Sequence, residues 1–355
     1  MLTFTIRRLI LSVPTLLFIS LVIFLLLQLA PGDPMAQVPL TVPPEIKEKM
    51  REALGLGQPI HIQYIKWLYQ FFIVEPQVMI DWMTRDTFLF GWLPDTQFSM
   101  VYNADLDRMV TEQRVISWQW RGPVMDVVIQ RLPQTLWVVG MAYVVGILIS
   151  IPIGIYSAYR QYSVFDQAGT FITMIGFSVP PFFTGPLLGI IFAVQLGWFP
   201  LLYDTTHEVN NWDTFVTQLK QMVLPVMVLA LQTTAQISRY MRASVLDNLN
   251  QDYVRTARSK GLSEAVVVMV HVLRNSMIPV ITVIALGIPS IFGGAIITEV
   301  VFGVSGIGDM FIRALLSNDL PTVQTLAFIF AILIVMFNLL ADVLYGVFDP
   351  RIRYD

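Results

Sequence analysis

The 355-residue sequence contains no cysteine. That absence excludes disulfides, thiolate nucleophiles and cysteine-held iron–sulfur clusters. Histidine is nearly as scarce: His61, His207 and His271 stand far apart, no helical pair exists, and no metal-ligand spacing is offered. Charge is thin too. Only 13% of residues are Asp, Glu, Lys or Arg, and a net charge of −3 excludes a strongly basic nucleic-acid binder. No G-x-x-x-x-G-K-[ST] run occurs, so the chain has no P-loop to cradle ATP phosphates. What fills the sequence instead is hydrocarbon. Hydrophobic residues make up 55%, and the mean hydropathy is +0.65, which is the composition of a membrane protein.

Apolar runs long enough to cross a bilayer are predicted at 9–30, 135–158, 168–196, 223–238, 280–297 and 326–345. The first follows Arg7 and Arg8. It is too long for a signal-peptide core, and Gln28 stands where cleavage needs a small residue, so it reads as a retained helix with a cytoplasmic N-terminus. Residues 31–132 hold mixed charge and aromatic clusters but no span. In the third run Pro180, Pro181, Gly185 and Pro186 demand a broken helix. In the short fourth run Gln232, Thr233 and Thr234 either line a polar passage or bond to neighbouring helices. Half of the basic residues fall at the N-terminus, at Arg160, in 239–274 and in the tail. With six spans this puts both termini inside.

The strongest concentration of interior basic charge is 252–279. Arg255, Arg258 and Lys260 lie on a polar run that Gly261 breaks, and Ser263 with Glu264 signals a fresh helix start. Glu264, His271 and Arg274 fall at helical offsets on one predicted face. A helix–turn–helix at the membrane surface follows, bound either to anionic lipid head groups or to a protein. Two rival chemistries are weaker. Gly303-Val304-Ser305-Gly306 has the form of an intramembrane serine protease motif, but no histidine follows position 271 to activate the serine. An ion-coupled transporter needs carboxylates or histidines at mid-bilayer, whereas Asp342 and Glu299 stand at or beyond helix ends.

Residues Asp252–Leu262 and His271–Pro279 match the phrases DYxRTARxKGL and HxLRNxxIP. They resemble the cytoplasmic coupling loop of permease subunits in binding-protein-dependent ABC importers, in the dipeptide/oligopeptide/nickel branch. Arg255 and Thr256 depart from the broader superfamily's Glu-Ala-Ala pattern. Leu29–Pro34 and Phe348–Tyr354 are similar to the same branch, and the stretch 299–311 is similar to the family's outer re-entrant region, although Ser305 stands where relatives commonly carry proline.

The resemblance implies an all-α integral membrane subunit of six transmembrane helices, with both termini cytoplasmic and an enlarged periplasmic region after the first helix. The expected organisation is 1–30 for the N-terminus and first helix, 31–132 for the periplasmic region with an insertion near 74–115, and 133–355 for the permease core. Within the core, 239–279 is the cytoplasmic coupling loop. The implied ATPase-coupling surface is Asp252, Arg255, Thr256, Ala257, Arg258, Lys260, Gly261, Leu262, Ser263 and Glu264, with the basic side chains suited to an acidic cleft. Pro180, Pro181 and Gln232 are expected on the translocation path. The implied partners are a homologous second permease subunit, two ATP-binding subunits carrying the ATP and Mg that this chain does not bind, a periplasmic or lipid-anchored substrate-binding protein, and membrane lipids. No nucleic acid, metal site or catalytic residue is expected. The implied cargo is peptide, with nickel chelates or other small solutes as the alternative, and the implied location is the bacterial cytoplasmic membrane.

Overall fold

The computed structural model describes residues 2–29, 44, 58–76, 100–103, 108–111 and 114–348. In chain order the helices are α1 (Leu2–Gln28), α2 (Ile60–Tyr69), α3 (Val124–Thr135), α4 (Met141–Tyr159), α5 (Val164–Ser178), α6 (Pro181–Leu188), α7 (Trp212–Leu249) and α8 (Asp252–Ser259). They continue with α9 (Glu264–Val266), α10 (Leu273–Gly294), α11 (Ile296–Phe302), α12 (Ile307–Leu316) and α13 (Leu320–Phe348). π-Helical turns at Gln70–Val74, Leu136–Gly140, Gly189–Gln195 and Val267–Val272 join several of these without a break. One antiparallel hairpin, β1 (Met100–Asn103) with β2 (Arg108–Thr111), accompanies the helices of this otherwise all-α fold. It lies inside the insertion predicted near 74–115.

Five helices among the described residues are long and apolar enough to cross a membrane: Thr5–Gln28, Val124–Tyr159, Trp212–Leu249, Glu264–Ile288 and Leu320–Val343. The helix pair Val164–Ser178 and Pro181–Gln195, bent by 110° at its break, brings the number to six when counted as one broken span. The bend follows from the sequence. Residues before proline are driven out of helical geometry, and both Val179 (ψ 120) and Pro180 (ψ 148) are extended. The amides of Phe183 and Thr184 then bond to the Pro180 carbonyl and satisfy it.

Several boundaries differ from the sequence expectation, the second span starting already at Val124. The fourth span does not stop at 238, because α7 runs unbroken for 38 residues. At 1.5 Å per residue it is about 57 Å long, nearly twice a hydrocarbon core of about 30 Å. Its basic residues stay helical because they find partners: Arg239 lies 4.6 Å from the Phe177 ring centroid, and Arg242 pairs with Asp166. The fifth span likewise begins well before 280, since α9, its π turn and α10 form one rod from Glu264. The wider π turn breaks the 3.6-residue register, so Glu264 and Arg274 are exposed while His271 is half-buried.

The chain divides into two compact units. The first comprises residues 1–16, 131–312 and 330–355. Its core is the crossing of α4 on α7. Gly146, Ser150 and Gly154 form a buried stripe of small residues. A Cβ on Gly154 would lie 2.6 Å from the Met241 Cβ and 2.9 Å from the Ser238 carbonyl oxygen, so the backbones meet closely. The helix is continuous through Pro152. Gly154 is a packing contact. In the same unit Arg8 pairs with Asp342 at 2.6 Å, which holds the first turns of α1 beside the last turns of α13.

The second unit comprises residues 17–130 and 313–329. Trp67, Phe71 and Phe72 surround Phe328 with ring centroids 4.9–5.6 Å away. Asp319, fully buried, accepts hydrogen bonds from the Ser117 hydroxyl, the Trp118 amide (3.1 Å), the Gln119 amide (3.2 Å) and the Thr322 hydroxyl (2.8 Å).

Candidate functional site

The basic segment folds as predicted into a short helix, a glycine turn and a second helix. Asn250 ends α7, Gln251 is extended, and α8 starts at Asp252. Two hydroxyls bond back along α8, Thr256 to the Asp252 carbonyl and Ser259 to the Arg255 carbonyl. The helix ends in a Schellman arrangement. The Gly261 amide bonds to the Arg258 carbonyl at 2.9 Å, and the Leu262 amide bonds to the Ala257 carbonyl at 3.4 Å. Gly261 has φ +78, the left-handed region, and a Cβ there would meet nothing within 4 Å. Glycine is therefore demanded by backbone conformation and not by crowding. Ser263 then caps α9 without a side-chain bond.

Only Val254 and Ala257 of α8 are buried, one helical turn apart. They pack against Met241 and Val245 of α7 and against Val267 and Val272 of the following π turn. This seats α8 against the end of the long helix. Asp252, Arg255, Thr256, Arg258, Lys260, Leu262, Ser263 and Glu264 are all exposed. Arg258 is held across the turn by Glu264, with Nε–Oε1 at 2.8 Å and Nη2–Oε2 at 3.3 Å. Arg255 pairs loosely with Asp252 at 3.6 Å. Of the ten predicted residues, nine thus form one exposed surface and Ala257 is its anchor.

Sequence reasoning missed a second tie to α7. Arg242 donates to both oxygens of the buried Asp166, and Asp166 also accepts the amide of Tyr162, whose φ is +61. Ser163 caps α5 by accepting the Asp166 amide at 3.2 Å. The short loop at 160–163 is thereby fixed to the helix that leads into α8. A lone aspartate beside an apolar run was the available signal.

The predicted path residues separate. Gln232 lines a cavity of about 120 Å³ between α4, α7 and α10, together with Tyr143, Gln236 and Gly287. Pro180 and Pro181 lie at the 110° bend and do not line that cavity.

Glu299, read from the sequence only as lying past a helix end, is a buried hub beyond the span Glu264–Ile288. Its carboxylate accepts the Thr135 hydroxyl (2.8 Å) and the amides of Gly308 and Asp309 (2.9 Å for the latter). Thr135 in turn accepts the Ile307 amide at 2.8 Å, so the orphan amides of the α12 N-terminus are satisfied from α3 and α11. Arg131 pairs with Asp309 at 3.1 Å. Burial pushes the Glu299 carboxyl up to about 7 against the pull of these donors. Gly303 (φ +70) turns the chain out of α11, and a Cβ at Gly306 would strike Glu299 and Thr135. The G-V-S-G run is thus the turn that brings α12 to its capping carboxylate.

These features define a multi-span membrane protein with a basic, rigidly seated helix pair at one end of its bundle. The chain belongs to the binding-protein-dependent transport system inner membrane component family, whose profile matches residues 150–354. The N-terminal profile of the same membrane components matches residues 1–87. It is 34% identical to the oligopeptide transport system permease protein AppB of Bacillus subtilis, covering 100% of both chains. It is 31% identical to the glutathione transport system permease protein GsiC of Salmonella typhi, again over 100% of both. Among solved structures, an amino acid ABC transporter matches at 15% identity and a TM-score of 0.46, over 64% of this chain and 95% of the other.

Proposed function

We propose that this chain forms one half of the transmembrane pathway of an ABC importer that moves peptides across the bacterial cytoplasmic membrane. The carrying observation is full-length similarity to permeases named for oligopeptide and glutathione transport. Without a P-loop of its own, the chain takes its energy from separate ATP-binding subunits that hold ATP and Mg. A homologous permease completes the pathway, and a periplasmic or lipid-anchored binding protein delivers the cargo.

In this reading the cytoplasmic side is the one with Arg7, Arg8, Arg160, α8 and the end of α13, in line with the positive-inside rule. The exposed surface of α8 and its turn docks in a cleft of an ATP-binding subunit. Val254 and Ala257 seat α8 on α7, which turns a rocking of that cleft into a displacement of a 38-residue rod. Gln232 and the bend at Pro180–Pro181 shape the path, and the region 74–115 elaborates the outer face.

The test is purification of the tagged chain from gently solubilised membranes, with co-purifying subunits identified by mass, followed by uptake in vesicles with the candidate binding protein. Co-purification of a second permease and P-loop subunits, with ATP-dependent peptide uptake, is the expected result. ATP-dependent uptake of nickel chelates and not of peptides would move the cargo assignment within the same machinery. Uptake driven by an ion gradient without any ATP-binding subunit would overturn it.

A further inference from the structure

Gln232 and Gln236 stand one helical turn apart near the middle of α7 and line the same cavity. Neither side-chain amide has a hydrogen-bond partner among the described residues, whereas the neighbouring Thr233 and Thr234 hydroxyls bond to the Leu229 and Gly146 carbonyls. In a span, an amide without a partner costs several kcal/mol if it faces hydrocarbon, so such groups belong against water or a polar ligand.

The opposite wall is built around Tyr143. Its hydroxyl donates to the Ile284 carbonyl and lies against Gly287, where a Cβ would come within 2.5 Å of it. The phenol is fixed with an acceptor lone pair left over. Among the described residues none that lines the cavity bears a formal charge, and apart from Thr233 the remaining wall, including Val139, Leu229 and Val283, is apolar. A volume of about 120 Å³ accepts a residue-sized segment.

We propose that Gln232, Gln236 and Tyr143 form a way-station for peptide backbone on the translocation path, resting on the peptide-importer reading given above. Each primary amide offers one donor and one acceptor face, the complement of a peptide N–H and C=O. Two such amides one helical turn apart, on an uncharged wall, grip the backbone and ignore side-chain charge. That is the property a path needs when selection is made before entry.

The test uses the complete importer in proteoliposomes with labelled trialanine as probe. Replacing both amides by Q232L/Q236L removes both hydrogen-bonding groups, so uptake falls roughly tenfold. Co-purification of the second permease and the ATP-binding subunits is retained. Undiminished uptake by this variant overturns the site. Loss of the second permease from the purified variant also overturns it and assigns the face to subunit contact. Failure of the wild-type importer to carry trialanine removes the peptide reading, and this site with it.

A second measurement does not depend on the double variant. Because the chain has no cysteine, Gln236→Cys supplies its one thiol, read on this chain by mass. A membrane-impermeant thiol reagent labels it, and trialanine under ATP turnover slows that labelling. Labelling unaffected by the peptide overturns the proposal.

Discussion

Arg242 of α7 grips Asp166 of α5 through two parallel bonds, Nε to Oδ1 at 2.7 Å and Nη2 to Oδ2 at 2.8 Å. The carboxylate is almost fully buried and also carries the Tyr162 amide, so it fixes a three-way junction of loop, α5 and α7. Removing the arginine alone leaves a buried charge without its counter-charge, which costs on the order of 3 kcal/mol. Arg242→Ala is therefore expected to lower the unfolding temperature of the purified complex markedly. The double change Asp166→Asn with Arg242→Gln is expected to cost much less. Tryptophan-fluorescence melting of the wild type and the two variants checks this, and equal melting of the single and the double variant would refute it.

Gly261 separates backbone conformation from charge. Its φ of +78 with open space around the missing Cβ means that Ala there costs about 1–2 kcal/mol of local strain, while Asn and Asp tolerate the left-handed region. Gly261→Asn is expected to keep binding-protein-stimulated ATP hydrolysis coupled to uptake. Gly261→Asp places a negative charge on a surface carrying Arg255 and Lys260. It is expected to insert and assemble but to hydrolyse ATP without uptake. Wild-type uptake by the Asp variant would show that this surface does not dock on the ATP-binding subunits.

Glu299 makes stability fall as pH rises. In the folded chain its carboxyl titrates at about 7, raised by burial from an ordinary value of 4.5. Between those values the folded state binds more protons than the unfolded state. The contribution is therefore complete below about 4.5 and is lost as pH climbs through about 7. The difference is on the order of 3 kcal/mol. Glu299→Gln, which keeps an acceptor for Thr135, is expected to flatten the fall in melting temperature between pH 5 and 8. A slope unchanged by the substitution would assign the pH dependence elsewhere.

Much of this architecture was legible because it depends on local chemistry. Pro180–Pro181 can only break a helix, and Gly261 followed by Ser263 and Glu264 can only turn and restart one. Hydropathy found the five helices long enough to cross and the bent helix pair. What it missed were ends and partners. The run of Arg239 and Arg242 reads as a loop by hydropathy, yet both are helical because Phe177 and Asp166 lie within reach. Those partners are remote in sequence, 76 residues away for Asp166. Glu299 was equally opaque, since its role comes from Thr135 and the start of α12, which only the fold brings to it. Gln232 was legible as polar within a span, but its pairing with Gln236 against Tyr143 was not.

Glu75 and Arg114 bring the two ends of the enlarged region together. Their side chains meet at 2.8 Å, the Val115 amide bonds to the same carboxylate, and Arg114 also pairs with Asp126 at 2.8 Å. Glu75 is buried to 2% exposure, so this clasp closes the insertion at its base. Residues 78–112 lie in sequence between these two anchors, and their removal need not disturb the clasp, because closure entropy changes only slowly with loop length. Replacing them by a short Gly/Ser linker, with Glu75 and Arg114 kept, is expected to leave assembly with the ATP-binding subunits intact. The same replacement extended through Arg114 strands a buried carboxylate and is expected to cost on the order of 3 kcal/mol, lowering the yield of complex. Co-purification of the subunits with each deletion, measured side by side, decides it. Loss of the complex with the first deletion would show that residues 78–112, and not the Glu75–Arg114 clasp, support assembly.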